Sequence, residues 1–212
     1  MTTDYDCMLE FVRKTFYTNG GDKKEKKYQS FRSRFSHTKR VLRWCERLSK
    51  ECDVYINEYI LFVSAIFHDI GYAILKNETL MPHAEASAQL FRNYCDTHEV
   101  PYSSIIENNI SLHSNKDLLK NEDISIELVL LMEADLLDET GALSIMFDCM
   151  SSGERHLESY EEAYLRVCEF SCRILESNPM VTPGGIRIWK EKQELVRLFV
   201  SSLKFDLCID KE

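Results

Sequence analysis

An all-α bundle is the fold this sequence predicts, on three grounds. Apolar residues recur three and four apart in segment after segment. No run keeps a clean two-residue period. The 212 residues include only 7 Gly and 4 Pro. Side chains spaced three or four apart share one helical face, and a chain of many short strands needs more turn-forming residues than these.

The elements follow in order. Asp4 to about Thr18 is amphipathic, with Leu9, Val12 and Phe16 on one side, and Asn19-Gly20-Gly21 ends it. The basic run Lys23-Lys24-Glu25-Lys26-Lys27 comes next and reads as a solvated loop. A second helix runs from about Ser36, its expected N-cap, to Cys52. The third, from about Asn57 to Asp69, is apolar nearly all round and belongs at the centre of the fold, with Gly71 placed to close it. Pro82 suits the first position of a fourth helix reaching about His98. Val100-Pro101 breaks the chain before a fifth helix, about Ser103 to His113. Ser114 to Asp123 is a polar loop, and a sixth helix covers about Ile124 to Asp138, ended or interrupted by Gly141. Short helical structure near Ala142 to Met150 leads to a loop at Ser151-Ser152-Gly153. Helices from about Glu158 to Ser177 and from about Ile186 to Phe205 finish the chain, joined by a loop holding Pro179, Pro183, Gly184 and Gly185. The expected organisation is one domain over 1–212, with a core at about 30–145 and C-terminal helices at 155–206 packing on it.

Composition narrows the function. Apolar residues make up 44% and charged residues 29%, an ordinary globular balance. The net charge of −9 repels nucleic-acid backbones, so no nucleic-acid partner is expected. A small phosphate-bearing substrate stays compatible, because a metal ion reverses the local field. The 8 cysteines (Cys7, Cys45, Cys52, Cys95, Cys149, Cys168, Cys172 and Cys208) form no Cys-x-x-Cys pair, which argues against a zinc ribbon or a disulfide scaffold. Free thiols in helical patterns point to the reducing cytoplasm. The first residues lack the pattern of a signal peptide, and the near-apolar stretch Tyr59 to Phe67 is too short to span a bilayer. The sequence leaves the oligomeric state open.

The chemistry lies where polar residues interrupt apolar stripes. Val41, Trp44 and Leu48 form a stripe that extends back to His37. The most apolar helix ends in His68-Asp69. His83 and Ser87 share a face with Leu90 and Tyr94, while Ile106 and Ile110 lead to His113. Ile124, Leu128 and Leu131 lead to Asp135 and then Asp138. Singly, each has a bland explanation: a hydrogen-bonded core histidine, or a helix-end carboxylate that accepts from the backbone. Together, five helices turn a His or Asp inward, and buried carboxylates need neutralising. Imidazoles and carboxylates converging on a core suggest a divalent cation. His98 and His156 lie in polar sequence outside these stripes and receive no role.

The order His37, His68-Asp69, Asp135 resembles the HD superfamily of metal-dependent phosphohydrolases. The local strings are Ser36-His37-Thr38-Lys39-Arg40-Val41, His68-Asp69-Ile70-Gly71, His83-Ala84-Glu85-Ala86-Ser87-Ala88, His113-Ser114, and Ala134-Asp135-Leu136-Leu137-Asp138-Glu139-Thr140-Gly141-Ala142. The last looks like the corresponding segment of the bacterial YpgQ and YedJ type, and the likeness covers about Ser36 to Ala142. The resemblance implies an HD-type helical bundle with His37, His68, Asp69 and Asp135 as metal ligands. His83 and His113 match extra histidines that line the substrate pocket or help hold a second metal in part of the superfamily. Members of the YpgQ-like group cleave nucleoside triphosphates to monophosphate and pyrophosphate. Three places depart from other branches. Tyr72 and Ala73 replace the Glu-Asp pair of guanosine-tetraphosphate hydrolases. Tyr72 also replaces the lysine of cyclic-dinucleotide phosphodiesterases, and Leu136 stands where arginine is frequent.

The expectation is therefore a phosphohydrolase acting on a small phosphate-bearing substrate, a nucleotide by resemblance. Its cofactor is one or two ions of Mn²⁺, Fe²⁺, Ni²⁺, Co²⁺, Zn²⁺ or, less suited, Mg²⁺. Asp69 is placed to bridge two ions, and His83 and His113 to stabilise charge on the transferred phosphoryl group. Asp138 is expected to orient a ligand or the attacking water, with a buried cap or a pair with Arg40 equally open. Lys116 and Lys120 read as solvated loop lysines rather than anion holders. The Thr182-Pro183-Gly184-Gly185 stretch is a candidate cover for the site. Two other readings stay open: a regulatory protein that keeps the cage with little turnover, and a phosphatase of nucleoside monophosphates or cyclic nucleotides.

Overall fold

A computed structural model describes residues 5–19, 32–75, 81–121, 123–154 and 159–209. Gly20-Gly21, the basic run 23–27 and His156 lie outside the described residues, as does Asp4 at the expected start of the first helix. Among the described residues the chain has nine α-helices and no strand: α1 (Tyr5–Asn19), α2 (Arg34–Ser49), α3 (Glu58–Phe67), α4 (His83–Cys95), α5 (Ser103–Leu112), α6 (Ile126–Leu137), α7 (Ala142–Glu154), α8 (Tyr160–Val167) and α9 (Pro183–Asp206). None of them is long and apolar enough to cross a membrane. The described residues gather into two compact units, divided between Asp135 and Leu136.

In the first unit α3 is the hub and packs against α1, α2, α4 and α5. Its sequence is apolar on every side, so every side needs cover. Val12 and Phe16 from α1, Phe91 and Tyr94 from α4, and Ile106 and Ile110 from α5 supply it around Val63, Ile66 and Phe67. The Phe67 ring meets Phe91 edge-on at 5.1 Å and Tyr94 at 5.0 Å. Truncating such a ring costs about 3–5 kcal/mol. Asn57 caps α3, its side chain accepting from the Ile60 amide.

The second unit is built on α7, α8 and α9, which contact one another. Val167, Leu175, Met180, Ile188, Trp189 and Val196 are buried there. Trp189 donates its indole N–H to the Ser177 carbonyl at 2.8 Å. The helix of α8 continues through a π-helical turn, Cys168–Cys172.

Several expected boundaries move. The cap of α2 is Ser33, whose side chain accepts from the Ser36 amide, because the helix starts a turn earlier than its apolar stripe. Pro82 is the N-cap of α4, one place before the expected position. The expected loop at Ser151-Ser152-Gly153 is the last turn of α7, where burial of Ser151 outweighs the weak propensity of serine and glycine. Lys116–Lys120 forms a 3-10 turn inside the expected loop, anchored by buried Leu119. Thr182-Pro183-Gly184-Gly185 is the start of α9, with the Thr182 hydroxyl accepting from the Gly185 amide and Pro183 at the first helical position. Gly141 has φ 69, and a Cβ there would stand 2.9 Å from the Lys192 side chain, so both conformation and space call for glycine.

Candidate metal centre

The polar residues expected to converge from the helices of the first unit do converge. His37 shares the buried face of α2 with Val41, Cys45 and Leu48. Past Phe67 the helix tightens: Asp69 has φ −111 and ψ 5, and a 3-10 turn follows over Ile70–Ala73. On a continuing α-helix neighbouring side chains diverge by about 100°. The change at Asp69 lets consecutive residues face one centre. Gly71 does not end α3 by its flexibility. It lets the 3-10 turn lie against α4, since a Cβ would stand 2.4 Å from the His83 carbonyl oxygen and 2.6 Å from the Ser87 amide nitrogen. The Gly71 amide donates to Ser87 Oγ at 2.8 Å across this contact. His83 opens α4, His113 follows the end of α5, and Asp135 lies near the end of α6.

Two donor groups meet at Asp69. On one side, His37 Nε2 lies 3.3 Å from His68 Nε2, 3.4 Å from Asp69 Oδ2 and 3.3 Å from Asp135 Oδ1. On the other, His83 Nε2 and His113 Nε2 are 3.3 Å apart, and each is 3.5 Å from Asp69 Oδ1. His37, His68 and Asp135 form a group with ligand atoms within 4.8 Å of one another, and so do His68, Asp69 and His113.

Hydrogen bonds alone leave these contacts long. The Nδ1 of His68 lies 2.8 Å from the Ala65 carbonyl and that of His113 2.7 Å from the Ile110 carbonyl. A carbonyl only accepts, so both Nδ1 atoms carry hydrogen and both Nε2 atoms of the neutral rings present lone pairs. On the first side, one N–H of His37 faces three acceptors at lengths beyond an ordinary hydrogen bond. Donors bound to a cation at 2.0–2.2 Å are about 3.0–3.6 Å apart along the edges of their polyhedron. The contacts of His37 with its three neighbours, and the triangle of His83, His113 and Asp69, have that spacing. Mixed imidazole and carboxylate donors suit Mn²⁺, Fe²⁺, Co²⁺, Ni²⁺ or Zn²⁺, so the residues fit a divalent cation.

The electrostatics agree. Burial pushes the His68 imidazole down to about 4, keeping it neutral and ready to ligate. Burial also lowers His83. Burial works against the charge of Asp69, but the imidazoles of His68, His113 and His37 outweigh it and hold the carboxyl well below the usual range. Asp135 is held low in the same way against its burial, with the Lys116 ammonium the leading cause.

Three neighbours of the cluster leave no clear mark in the sequence. Arg34 places Nη1 3.2 Å from Asp69 Oδ2 and its guanidinium 3.7 Å above the Tyr72 ring. Tyr72 in turn stacks on His83, with centroids 4.6 Å apart and planes at 16°. Arg34 stands three residues before His37 on α2, a spacing that signals a shared face. Lys116 is not a solvated loop lysine: its Nζ lies 2.7 Å from Asp135 Oδ2. Lys120 does face solvent, pairing with exposed Asp117 at 3.0 Å. Asp138 belongs to the second unit, where it is buried just past α6. His98 stacks on Tyr94 at 4.0 Å.

Comparison with known proteins adds the family. Bacillus subtilis YpgQ, solved in complex with ADP, is 16% identical with a TM-score of 0.62, over 95% of this chain and 93% of that one. An HD-superfamily hydrolase from Bacillus thuringiensis is 18% identical with a TM-score of 0.62, over 96% and 100%. The Lin1889 protein from Listeria innocua is 18% identical with a TM-score of 0.60, over 96% and 99%. At these identities the likeness is one of fold. No curated protein sequence matches the chain. The HD domain model matches residues 34–140, the span that carries every imidazole and carboxylate of the centre, and the chain belongs to the HD-domain family.

Proposed function

We propose that this protein is a metal-dependent phosphohydrolase that cleaves a phosphoanhydride bond of a nucleotide, taking a nucleoside triphosphate to monophosphate and pyrophosphate. The observation that carries the reading is the pair of donor groups sharing Asp69, with the spacing of donors around a cation. The ADP held by YpgQ, which has this fold, supports a nucleotide as substrate.

His37, His68, Asp69 and Asp135 would hold the first cation. His83, His113 and Asp69 Oδ1 are spaced for a second. With Nδ1 of His113 donating to a carbonyl, Nε2 is available to ligate and would donate to a phosphoryl oxygen only as an imidazolium. A bound divalent ion supplies a Lewis acid and lowers the pKa of water towards neutrality. The chain's own part is orientation. Carbonyls of Ala65 and Ile110 fix two imidazole tautomers. The Arg34–Tyr72–His83 stack holds the His83 ring plane, and Arg34 also restrains Asp69.

The test is a nucleotide panel incubated with protein loaded with Mn²⁺, with products separated by chromatography. Monophosphate and pyrophosphate from a triphosphate are expected. Orthophosphate from a monophosphate, or no product from any nucleotide, would overturn the assignment.

A further inference from the structure

Asp135 turns its two oxygens to different neighbours. Oδ1 faces the imidazoles, 3.3 Å from His37 Nε2 and 4.0 Å from His68 Nε2. Oδ2 meets Lys116 Nζ at 2.7 Å. The lysine comes from the 3-10 turn after α5, and its Nζ also reaches the Met132 carbonyl on α6 at 3.4 Å. With side chains 26% and 22% exposed, the pair is neither loose on the surface nor sealed in the core.

A carboxylate beside a divalent cation can bind through one oxygen or both. An ammonium seated on one of them removes the second choice. We propose that Lys116 is a positioning residue that confines Asp135 to ligation through Oδ1 alone. The proposal rests on the reading of this cluster as a metal centre and assigns it a regulating neighbour. One-oxygen ligation keeps a coordination position free, as a catalytic site requires and a structural one does not. The same ammonium repels the cation across the shared carboxylate, so the arrangement gives up some metal affinity in exchange for that position.

This fixes an unusual sign. If Lys116 only braced α6, removing it would leave Asp135 loose and the metal more weakly held. If it restricts ligation, removing it lets Oδ2 bind and lifts a repulsion, so the metal is held more tightly while turnover falls.

The experiment compares wild type with Lys116→Met and Lys116→Arg. Mn²⁺ affinity is measured by competition with a fluorescent chelator, Co²⁺ coordination by visible absorption, and kcat with the nucleoside triphosphate. Lys116→Met is expected to hold Mn²⁺ about tenfold tighter, the size of one repulsion at water-like screening. It should also weaken the Co²⁺ bands as coordination number rises, and lower kcat. Lys116→Arg keeps charge and donor and should stay near wild type in all three. Lys116→Gln carries the same expectation as Met and replaces it if Met does not fold. Unchanged or weaker Mn²⁺ binding in the neutral variants, or an unaltered Co²⁺ spectrum, overturns the proposal. Wild type that takes up no Mn²⁺ or Co²⁺ overturns the metal-centre reading itself, before any variant is compared.

Discussion

Each unit buries a carboxylate, and the two are accommodated in opposite ways. In the second unit Asp148 is 4% exposed, with the Ser171 hydroxyl donating to Oδ2 at 2.5 Å and the Arg166 guanidinium 3.9 Å from Oδ1. Burial pushes its carboxyl up, with the Ser171 hydrogen bond opposing. In the first unit Asp69 is 3% exposed, yet imidazoles on both sides hold it ionised. One carboxylate is shifted towards its neutral form by burial, with a hydroxyl and a guanidinium opposing. The other is kept charged among imidazoles, a donor set that could also hold a cation. Burial alone therefore does not mark a site; the kind of neighbour does.

The comparison breaks most sharply at Asp69. Asp69→Ala removes the carboxylate shared by both donor groups. Metal content by mass spectrometry should fall to background and turnover with it, by about a thousandfold if several kcal/mol of charge stabilisation is lost. His113→Ala should cut turnover by about a hundredfold. The ion at His37, His68 and Asp135 should remain, so metal analysis separates the two sides of Asp69. Gly71→Ala forces the 3-10 turn away from the His83 carbonyl. It should cost about 1–3 kcal/mol in a thermal melt and weaken binding on the His83 side before the His37 side.

The smallest effect belongs to the second unit. Asp148→Asn should leave metal content and turnover unchanged. The folded-state pKa of Asp148 lies above its unfolded value, so its folded state binds more protons. Its stability contribution is present at low pH and is lost as pH rises through the folded pKa. The amide cannot ionise, so melts of the variant should gain on wild type as pH rises over that window. A parallel pH profile would contradict this account of Asp148.

Much of this was legible in the sequence, for a physical reason. His37, His68, His83, His113 and Asp135 sit where apolar stripes run into the interior, and helical periodicity exposes that. The hub role of α3 was legible too, because a segment apolar on every side has to be covered. Lys116 and Tyr72 were not. A long side chain reaching across to another helix leaves no periodic trace, and Tyr72 acts through a stack that exists only once α4 is in place. Nor does periodicity fix the ends of α2 and α7. Ser33 caps a polar first turn ahead of the stripe, and Ser151 continues α7 because its site is buried. The π turn at 168–172 contains Ser171, which donates to Asp148, and its apolar pattern is that of an ordinary helix.

The claim beneath the account is that imidazole and carboxylate groups of the first unit surround a divalent cation. Anomalous diffraction from crystals of the full chain grown with Mn²⁺ tests it most directly. The account predicts a manganese peak within ligand distance of His37, His68, Asp69 and Asp135. A fully formed cluster at millimolar Mn²⁺ with no peak among those four side chains would contradict it.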